Sequence, residues 1–373
     1  MKNFEELGVG KKFILGLNDL NIITPTEIQN KVIPILINSN TDLVGQAQTG
    51  TGKTAAYGLP LLHKIDPGQN RVQGLILCPT RELGQQIAKQ LFRYTKYSAK
   101  IFTEAVYGGA PIEIQMNSLK KPTHIIVATP GRLIDLVKRD AVNLSHVKTV
   151  ILDEADEMLS MGFKAELDEI LGYTSSAENK WLFSATMPIG IKQIVNQHLA
   201  ANAVRIEVSD KNVINKNIEH KYLIVEERDK LHALLQFIKS EGVNRGVIFC
   251  RTKVATQKLA LQLEAKNITV GAIHGDLMQK ERDKVMRAFK NESSQLLVAT
   301  DLAARGLDIE ALAFVVHYQL PDKDEYYTHR SGRTARAGKK GVSLSLITPF
   351  ETKQIRFYEK TLHISFSQIT QGN

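Results

Sequence analysis

Leu43-Val44-Gly45-Gln46-Ala47-Gln48-Thr49-Gly50-Thr51-Gly52-Lys53-Thr54 is the stretch on which the reading of this chain turns. An apolar start, a glycine-punctuated middle and a mostly apolar continuation from Ala55 to Leu62 predict strand, loop and helix in that order. Gly50 and Gly52 let the backbone from Gln48 through Thr49 and Thr51 turn its N–H groups around phosphate oxygens, at the positive end of the following helix. Lys53 then has the reach to neutralise the β- and γ-phosphates of a nucleoside triphosphate, and the Thr54 hydroxyl is placed to bind Mg2+. The strict phosphate-loop pattern wants glycine six residues before the lysine, where this chain has Ala47. A tight strand-to-helix turn that binds nothing is the alternative; nucleoside triphosphate binding is the reading the spacing favours.

The remaining composition sets the frame. A chain of 373 residues is too long for one comfortable core and fits two domains of ordinary size. Hydrophobic residues make up 43% and charged residues 23%, as in globular proteins generally. No apolar run approaches signal-peptide or membrane-spanning length, so a soluble cytoplasmic protein is expected. Two cysteines, Cys78 and Cys250, form neither a disulfide framework nor a metal-ligand cluster. The formal charge of +9 admits a polyanionic partner, and the placement of the arginines has to decide it.

Apolar strand-like runs alternate with helix-length stretches from end to end: Gly74–Cys78, Ile125–Ala128, Val150–Leu152, Trp181–Phe183, Val247–Cys250, Leu296–Ala299, Ala313–Val316 and Val342–Ile347. Such alternation predicts an α/β fold of parallel sheets covered by helices on both faces. The polar run 209–216 reads as a linker between domains 1–208 and 217–373. The halves also echo each other: LILCPTR with VIFCRTK, IIVATP with LLVATD, and LFSAT with LSLIT follow in the same order at near-constant offset. Two copies of one α/β domain are expected. The glycine–lysine–threonine loop does not repeat, so one nucleotide site serves both copies.

Val150-Ile151-Leu152 ends abruptly in Asp153-Glu154-Ala155-Asp156. In open parallel sheets ligands sit beyond the carboxyl ends of strands, where these acids emerge. Asp153 is the candidate for the metal side, through water, because Mg2+ keeps much of its hydration shell. Glu154 is the candidate base orienting the attacking water. An acidic cap feeding a helix over Glu157–Leu171 describes Asp156 in part. Arg330, Arg333 and Arg336 recur every three residues, a spacing that puts them on nearby faces of a helix; a solvated basic stripe is the alternative. His63, His124 and His198 have no partner at metal-ligand or triad spacing and read as surface or core residues.

The order of these motifs resembles the DEAD-box RNA helicases over nearly the whole chain. After Phe4 and the segment Asn21–Gln29, similar to the family's adenine-recognising Q motif, come AQTGTGKT, PTRELGQQ, Gly108-Gly109, TPGR, DEAD and SAT. The second half adds VIFCRT, HGDLMQKER, VATDLAARGLD and YTHRSGRTARAG. The resemblance implies two tandem RecA-like domains, with little or no C-terminal extension beyond them. It implies that Gln29, with Thr24 nearby, reads the adenine edge, that Phe4 stacks on the ring, and that Gly306 and Asp308 lie at the ribose. The family usually has a glycine and then an aromatic where this chain has Asn21 and Ile22. Arg333 and Arg336, beside His329, resemble the arginines that reach the γ-phosphate, and Ser184 and Thr186 resemble couplers to the interdomain surface.

By the same resemblance RNA contacts fall on Pro79, Thr80, Arg81, Gly109, Thr129, Pro130, Gly131 and Arg132 in the first half. Arg251, Gly275, Gln279, Arg282 and Thr300 follow in the second. These residue types suit a phosphate backbone, with the 2′-hydroxyl distinguishing RNA and little sequence specificity. A monomeric, RNA-dependent ATPase that locally unwinds short duplexes is the expectation. An ATP-gated RNA clamp with slow hydrolysis and a DNA-directed ATPase on the same fold are the alternatives.

Overall fold

The computed structural model describes residues 2–48, 50–208, 217–304, 312–322, 324–335 and 340–370. Thr49, Gly306, Asp308, Arg336 and the expected linker 209–216 lie outside them. The chain divides into two compact units, Met1–Ser209 and Asp210–Asn373.

In the first unit the described strands are β1 (Leu43–Gln46), β2 (Gly74–Leu77), β3 (Thr103–Val106), β4 (Ile125–Ala128), β5 (Thr149–Leu152), β6 (Asn179–Ser184) and β7 (Val204–Glu207). They lie in the order β3-β4-β2-β5-β6-β1-β7, and every recorded pairing is parallel. β2, β4 and β5 are buried along their whole length, because helices cover both faces of the sheet. One face packs Ile76, Ile125, Ile151 and Trp181, and the other packs Leu75, Ile126, Val150 and Leu182. This division is the period-two alternation of a strand.

The second unit has β8 (Ile218–Ile224), β9 (Gly246–Phe249), β10 (Val270–Ile273), β11 (Leu296–Ala299), β12 (Phe314–His317), β13 (Gly341–Ile347) and β14 (Phe366–Gln368). Their order is β10-β11-β9-β12-β13-β8-β14, again parallel throughout. Numbered from the start of each unit, the two orders are identical. The three sequence echoes fall on matching strands: β2 with β9, β4 with β11, and β6 with β13. Thr80 and Thr252, at matching positions, each cap the next helix, accepting from Leu83 N at 3.3 Å and Ala255 N at 3.1 Å.

The helix expected over Glu157–Leu171 is instead two helices, Ala155–Ser160 and Lys164–Tyr173. Gly162, at φ 88°, breaks it, and the Phe163 N–H closes the first helix on the Met158 carbonyl at 3.1 Å. Among the described residues no helix is long and apolar enough to cross a membrane.

Close strand packing leaves one glycine no alternative. A Cβ on Gly246 would sit 2.1 Å from the ring of Phe314 on the paired strand β12. Gly246→Ala is expected to destabilise the protein by about 1–3 kcal/mol. Urea unfolding followed by circular dichroism checks this, and an unchanged midpoint would contradict it.

Candidate functional site

β1 delivers the chain into the phosphate loop as expected. The Ala47 N–H donates to the Ser184 carbonyl at 3.0 Å, extending the β1–β6 ladder by one residue. Gly50 and Gly52 take φ values of 83° and 89°, a region costly for residues with a Cβ. Gly52 is constrained twice, because a Cβ there would lie 2.3 Å from the Gln29 amide nitrogen. Gln29 is buried, its Nε2 donating to the Gly52 carbonyl at 3.0 Å and its Oε1 accepting from Thr26 N at 2.9 Å. The amide therefore straps the helix Glu27–Asn38 to the loop. Each of its polar atoms keeps one further hydrogen-bonding position.

Asn21 takes φ 56°, a left-handed conformation asparagine tolerates. Asn21 N donates to Asn18 O at 2.9 Å and Ile22 N to Leu17 O at 3.0 Å, closing the helix Lys11–Asn18. The substitution for glycine thus preserves the turn. Thr24 follows on the surface. Phe4 requires a correction. It is 3% exposed and packed in the core, so it presents no face for a base to stack on.

Lys53 and Thr54 open the helix Lys53–Lys64. The buried Lys53 ammonium donates to the Ala47 carbonyl at 3.0 Å, which leaves two of its three N–H groups for other acceptors. Beyond the end of β5, Asp153 is buried; Glu154 N donates to its Oδ1 at 3.0 Å and the Tyr57 hydroxyl to its Oδ2 at 2.8 Å. Burial pushes the Asp153 carboxyl above the usual carboxylate range, and the charge of Lys53 opposes that shift. Glu154 has φ 51°, a left-handed conformation that costs energy for a residue with a Cβ.

Asp156 does not open its helix; Glu154 occupies that position. The Asp156 carboxylate serves two elements: its Oδ1 accepts from Glu157 N in the first turn of its own helix at 3.1 Å, and beyond β6 the Thr186 N–H and hydroxyl both donate to its Oδ2 at 2.8 Å. The Ser184 hydroxyl accepts from Asp156 N at 3.3 Å and donates to the Thr186 carbonyl at 2.7 Å. The expected couplers are therefore tied directly to the acidic strand end.

The strand order sorts these residues into two groups. Those of the nucleotide loop and acids leave β1, β5 and β6 on one side of the sheet. The expected nucleic-acid residues leave β2, β3 and β4, which are neighbours on the other. There Arg81 stacks over the Tyr107 ring at 4.5 Å, and Gln85 Nε2 donates to the Tyr107 hydroxyl at 2.8 Å. Gly108 N donates to Thr129 Oγ1 at 3.4 Å, and Arg132 Nη2 to the Ala110 carbonyl at 2.9 Å. Gly109 is exposed at φ 79°, Gly131 is half-buried, and Pro79 and Pro130 are buried. The Arg132 Nε and Nη1 atoms are buried without a hydrogen-bond partner, a state that favours an added acceptor.

The second unit repeats the sorting. Arg251, Gly275 and Thr300 follow β9, β10 and β11, which are neighbours, whereas His329 and Arg333 follow β12. Gly275 is exposed with open space where a Cβ would lie. Arg282 donates to the Ala303 carbonyl at 3.1 Å and Gln279 to Asp283 at 2.7 Å. Arg251 is engaged, donating to the Leu320 carbonyl at 2.6 Å and pairing with Asp322 and Glu351.

The helix carrying His329 spans Glu325–Ser331, so Arg333 lies beyond it rather than on its face. Arg330 is no part of a solvated stripe. It is 1% exposed, bonded to both Asp301 oxygens at 2.6 and 2.7 Å, and it donates to the Gln319 carbonyl at 2.7 Å. His329 and Arg333 line a small cavity with Phe249, Asp301 and Tyr326. The three isolated histidines are structural: His63 accepts from Gly10 N, His124 accepts from Phe102 N, and His198 pairs with Asp168. Tyr57 and the Arg330–Asp301 pair are what sequence reasoning missed. For Tyr57 the one signal was a polar tip within an apolar run.

The family profile of the DEAD/DEAH box helicases matches residues 26–194, and that of the helicase conserved C-terminal domain matches residues 229–338. The DEAD-box ATP-dependent RNA helicase CshA of Bacillus cereus is 41% identical over 361 residues, covering 97% of this chain and 68% of that protein. This chain belongs to the DEAD-box ATP-dependent RNA helicases. RhpA of Helicobacter pylori, another DEAD-box ATP-dependent RNA helicase, is 37% identical over 360 residues, which is 96% of this chain and 72% of that protein. Among solved structures, S. cerevisiae Dbp5 bound to RNA and ADP BeF3 is similar with a TM-score of 0.90 and 29% identity, covering 99% and 96% of the two chains. Mss116p bound to ssRNA and AMP-PNP has a TM-score of 0.88 and 29% identity, covering 100% of this chain and 80% of that one. The two sheets are accordingly tandem RecA-like domains of a DEAD-box enzyme.

The Gln29–Gly52 contact makes a direct prediction. Gly52→Ala displaces the Gln29 amide and forces a left-handed alanine, which is expected to lower stability by about 1–3 kcal/mol. Trp181, the single tryptophan and buried in β6, reports the loss by fluorescence during urea unfolding; a wild-type midpoint would refute the contact's importance.

Proposed function

We propose that this chain is an RNA-stimulated ATPase in which ATP and RNA binding close the two units, and closure locally unwinds short RNA duplexes and remodels RNA–protein complexes. The observation that carries the reading is the pairing of the phosphate loop with Asp153 and the strained Glu154 at the carboxyl ends of β1 and β5. ATP enters with its phosphates on the N–H groups of residues 48–52, where the helix N-terminus favours anions. The two free N–H groups of Lys53 serve the β- and γ-phosphates. The spare amide positions of Gln29, one donor and one acceptor, match the adenine edge; Thr24 borders that pocket.

Thr54 and Asp153 offer hard oxygen donors, the set that suits Mg2+. Held by these residues, Mg2+ would supply charge neutralisation for the transferred phosphoryl group. Glu154 orients the attacking water and accepts its proton. Arg333 and Arg336, with His329, complete the site on closure, and an arginine so placed can contribute roughly 10³–10⁵ in rate. Asp308, with Gly306, takes the ribose.

RNA lies along the loops after β2, β3 and β4 and their counterparts after β9, β10 and β11, contacted through its backbone. The Asp156–Thr186–Ser184 bonds link this event to the nucleotide, since they tie the acidic strand end to the end of β6. The acting species is a single chain. The presence of both Glu154 and Arg333 favours turnover over an ATP-gated clamp.

Glu154→Gln is expected to keep ATP binding while lowering RNA-stimulated hydrolysis about 10²–10⁴-fold. Phosphate release in parallel with nucleotide-binding titrations checks this. Wild-type turnover in the variant would remove Glu154 from the role of base.

A further inference from the structure

Tyr57 belongs to none of the motifs above, yet it touches the centre of the site. It follows Thr54 by three residues and Lys53 by four, so it neighbours each of them on the helix surface. Its side chain is fully buried, with the ring tilted against Phe183 of β6 at 5.2 Å between centroids. Its hydroxyl donates to Asp153 Oδ2 at 2.8 Å, while Glu154 N donates to Oδ1 at 3.0 Å. Each carboxylate oxygen is thus held by one donor of fixed position, a phenol locked by packing and a backbone amide. Two such anchors set the plane of the carboxylate and leave its remaining lone pairs with one direction.

We propose that Tyr57 is a positioning residue for metal-bound nucleotide: its hydroxyl fixes the rotation of the Asp153 carboxylate and thereby sets the affinity for Mg2+ in the presence of nucleotide. The inference rests on the reading of Thr54 and Asp153 as the Mg2+ side of the site. Phenylalanine at this position would keep the packing against Phe183 and remove the anchor on Oδ2. Outer-sphere hydrogen bonds of this kind are typically worth about 10–100-fold in metal affinity.

The test uses the full chain, a fluorescent N-methylanthraniloyl ADP and a titration of free Mg2+, with binding in EDTA as reference. Tyr57→Phe is expected to raise the Mg2+ concentration for half-maximal enhancement of nucleotide binding about tenfold, with binding in EDTA unchanged. Combined with Asp153→Asn, it is expected to add no further shift. A wild-type Mg2+ midpoint in Tyr57→Phe would overturn the proposal. So would a shift that adds to that of Asp153→Asn, or an equal loss in EDTA, since either puts the effect outside the carboxylate. If wild-type binding shows no Mg2+ dependence at all, the reading of Thr54 and Asp153 fails first and the proposal falls with it. Cooperative unfolding of both variants, read from Trp181, secures the comparison.

Discussion

Parallel strand pairing is the constraint from which the rest of this protein follows. Parallel neighbours cannot be joined by tight turns, so each strand is followed by a crossover, and every crossover begins at the same edge of the sheet. That edge collects the phosphate loop, the acidic strand end, the Ser184–Thr186 segment and the arginine- and glycine-bearing loops. The strand order then sorts them. β1, β5 and β6 bring together the residues proposed for the nucleotide, and β2, β3 and β4 bring together those suited to a nucleic-acid backbone. The second unit repeats the order strand for strand. The repeated fold therefore repeats the arrangement of ends, while the residues mounted on them differ.

The electrostatics of the nucleotide edge depend on burial. Lys53, Asp153 and Tyr57 are all withdrawn from water, where an unpaired charge is costly. Lys53 bonds to the Ala47 carbonyl and Asp153 accepts from Tyr57 and Glu154 N, so each charged group has a fixed neighbour before any ligand arrives. The other unit uses the same logic for a structural end. Arg330 spends its guanidinium on Asp301 and the Gln319 carbonyl, which anchors the helix that leads to Arg333.

Much of this was legible in the chain because motif loops in a parallel sheet announce themselves twice, by an apolar run and by the polar residues that terminate it. The strands preceding Asp153, Thr80 and Thr129 were readable for that reason, and the three echoes fell on matching strands. Long-range partners were not legible. Nothing local shows that Asp156, which holds Glu157 N of its own helix with one oxygen, gives the other to Thr186, or that Gln29 straps Gly52. Phe4 was misread as a stacking face because spacing to the Q motif says nothing about burial. The interrupted helix at Gly162 was missed because one glycine within an amphipathic stretch is a weak stop signal. Five strands escaped notice, among them β3, β7, β8 and β14, which are partly exposed and lack a continuous apolar run.

The central claim is that one sheet edge couples a nucleotide to an RNA backbone. Steady-state ATP hydrolysis by the unmodified protein, with and without single-stranded RNA and with single-stranded DNA of the same sequence, tests it most directly. The account predicts slow hydrolysis alone, at least about a tenfold rise with RNA, a change of about 1.4 kcal/mol in barrier, and little response to DNA. Hydrolysis that is the same with and without RNA would contradict it.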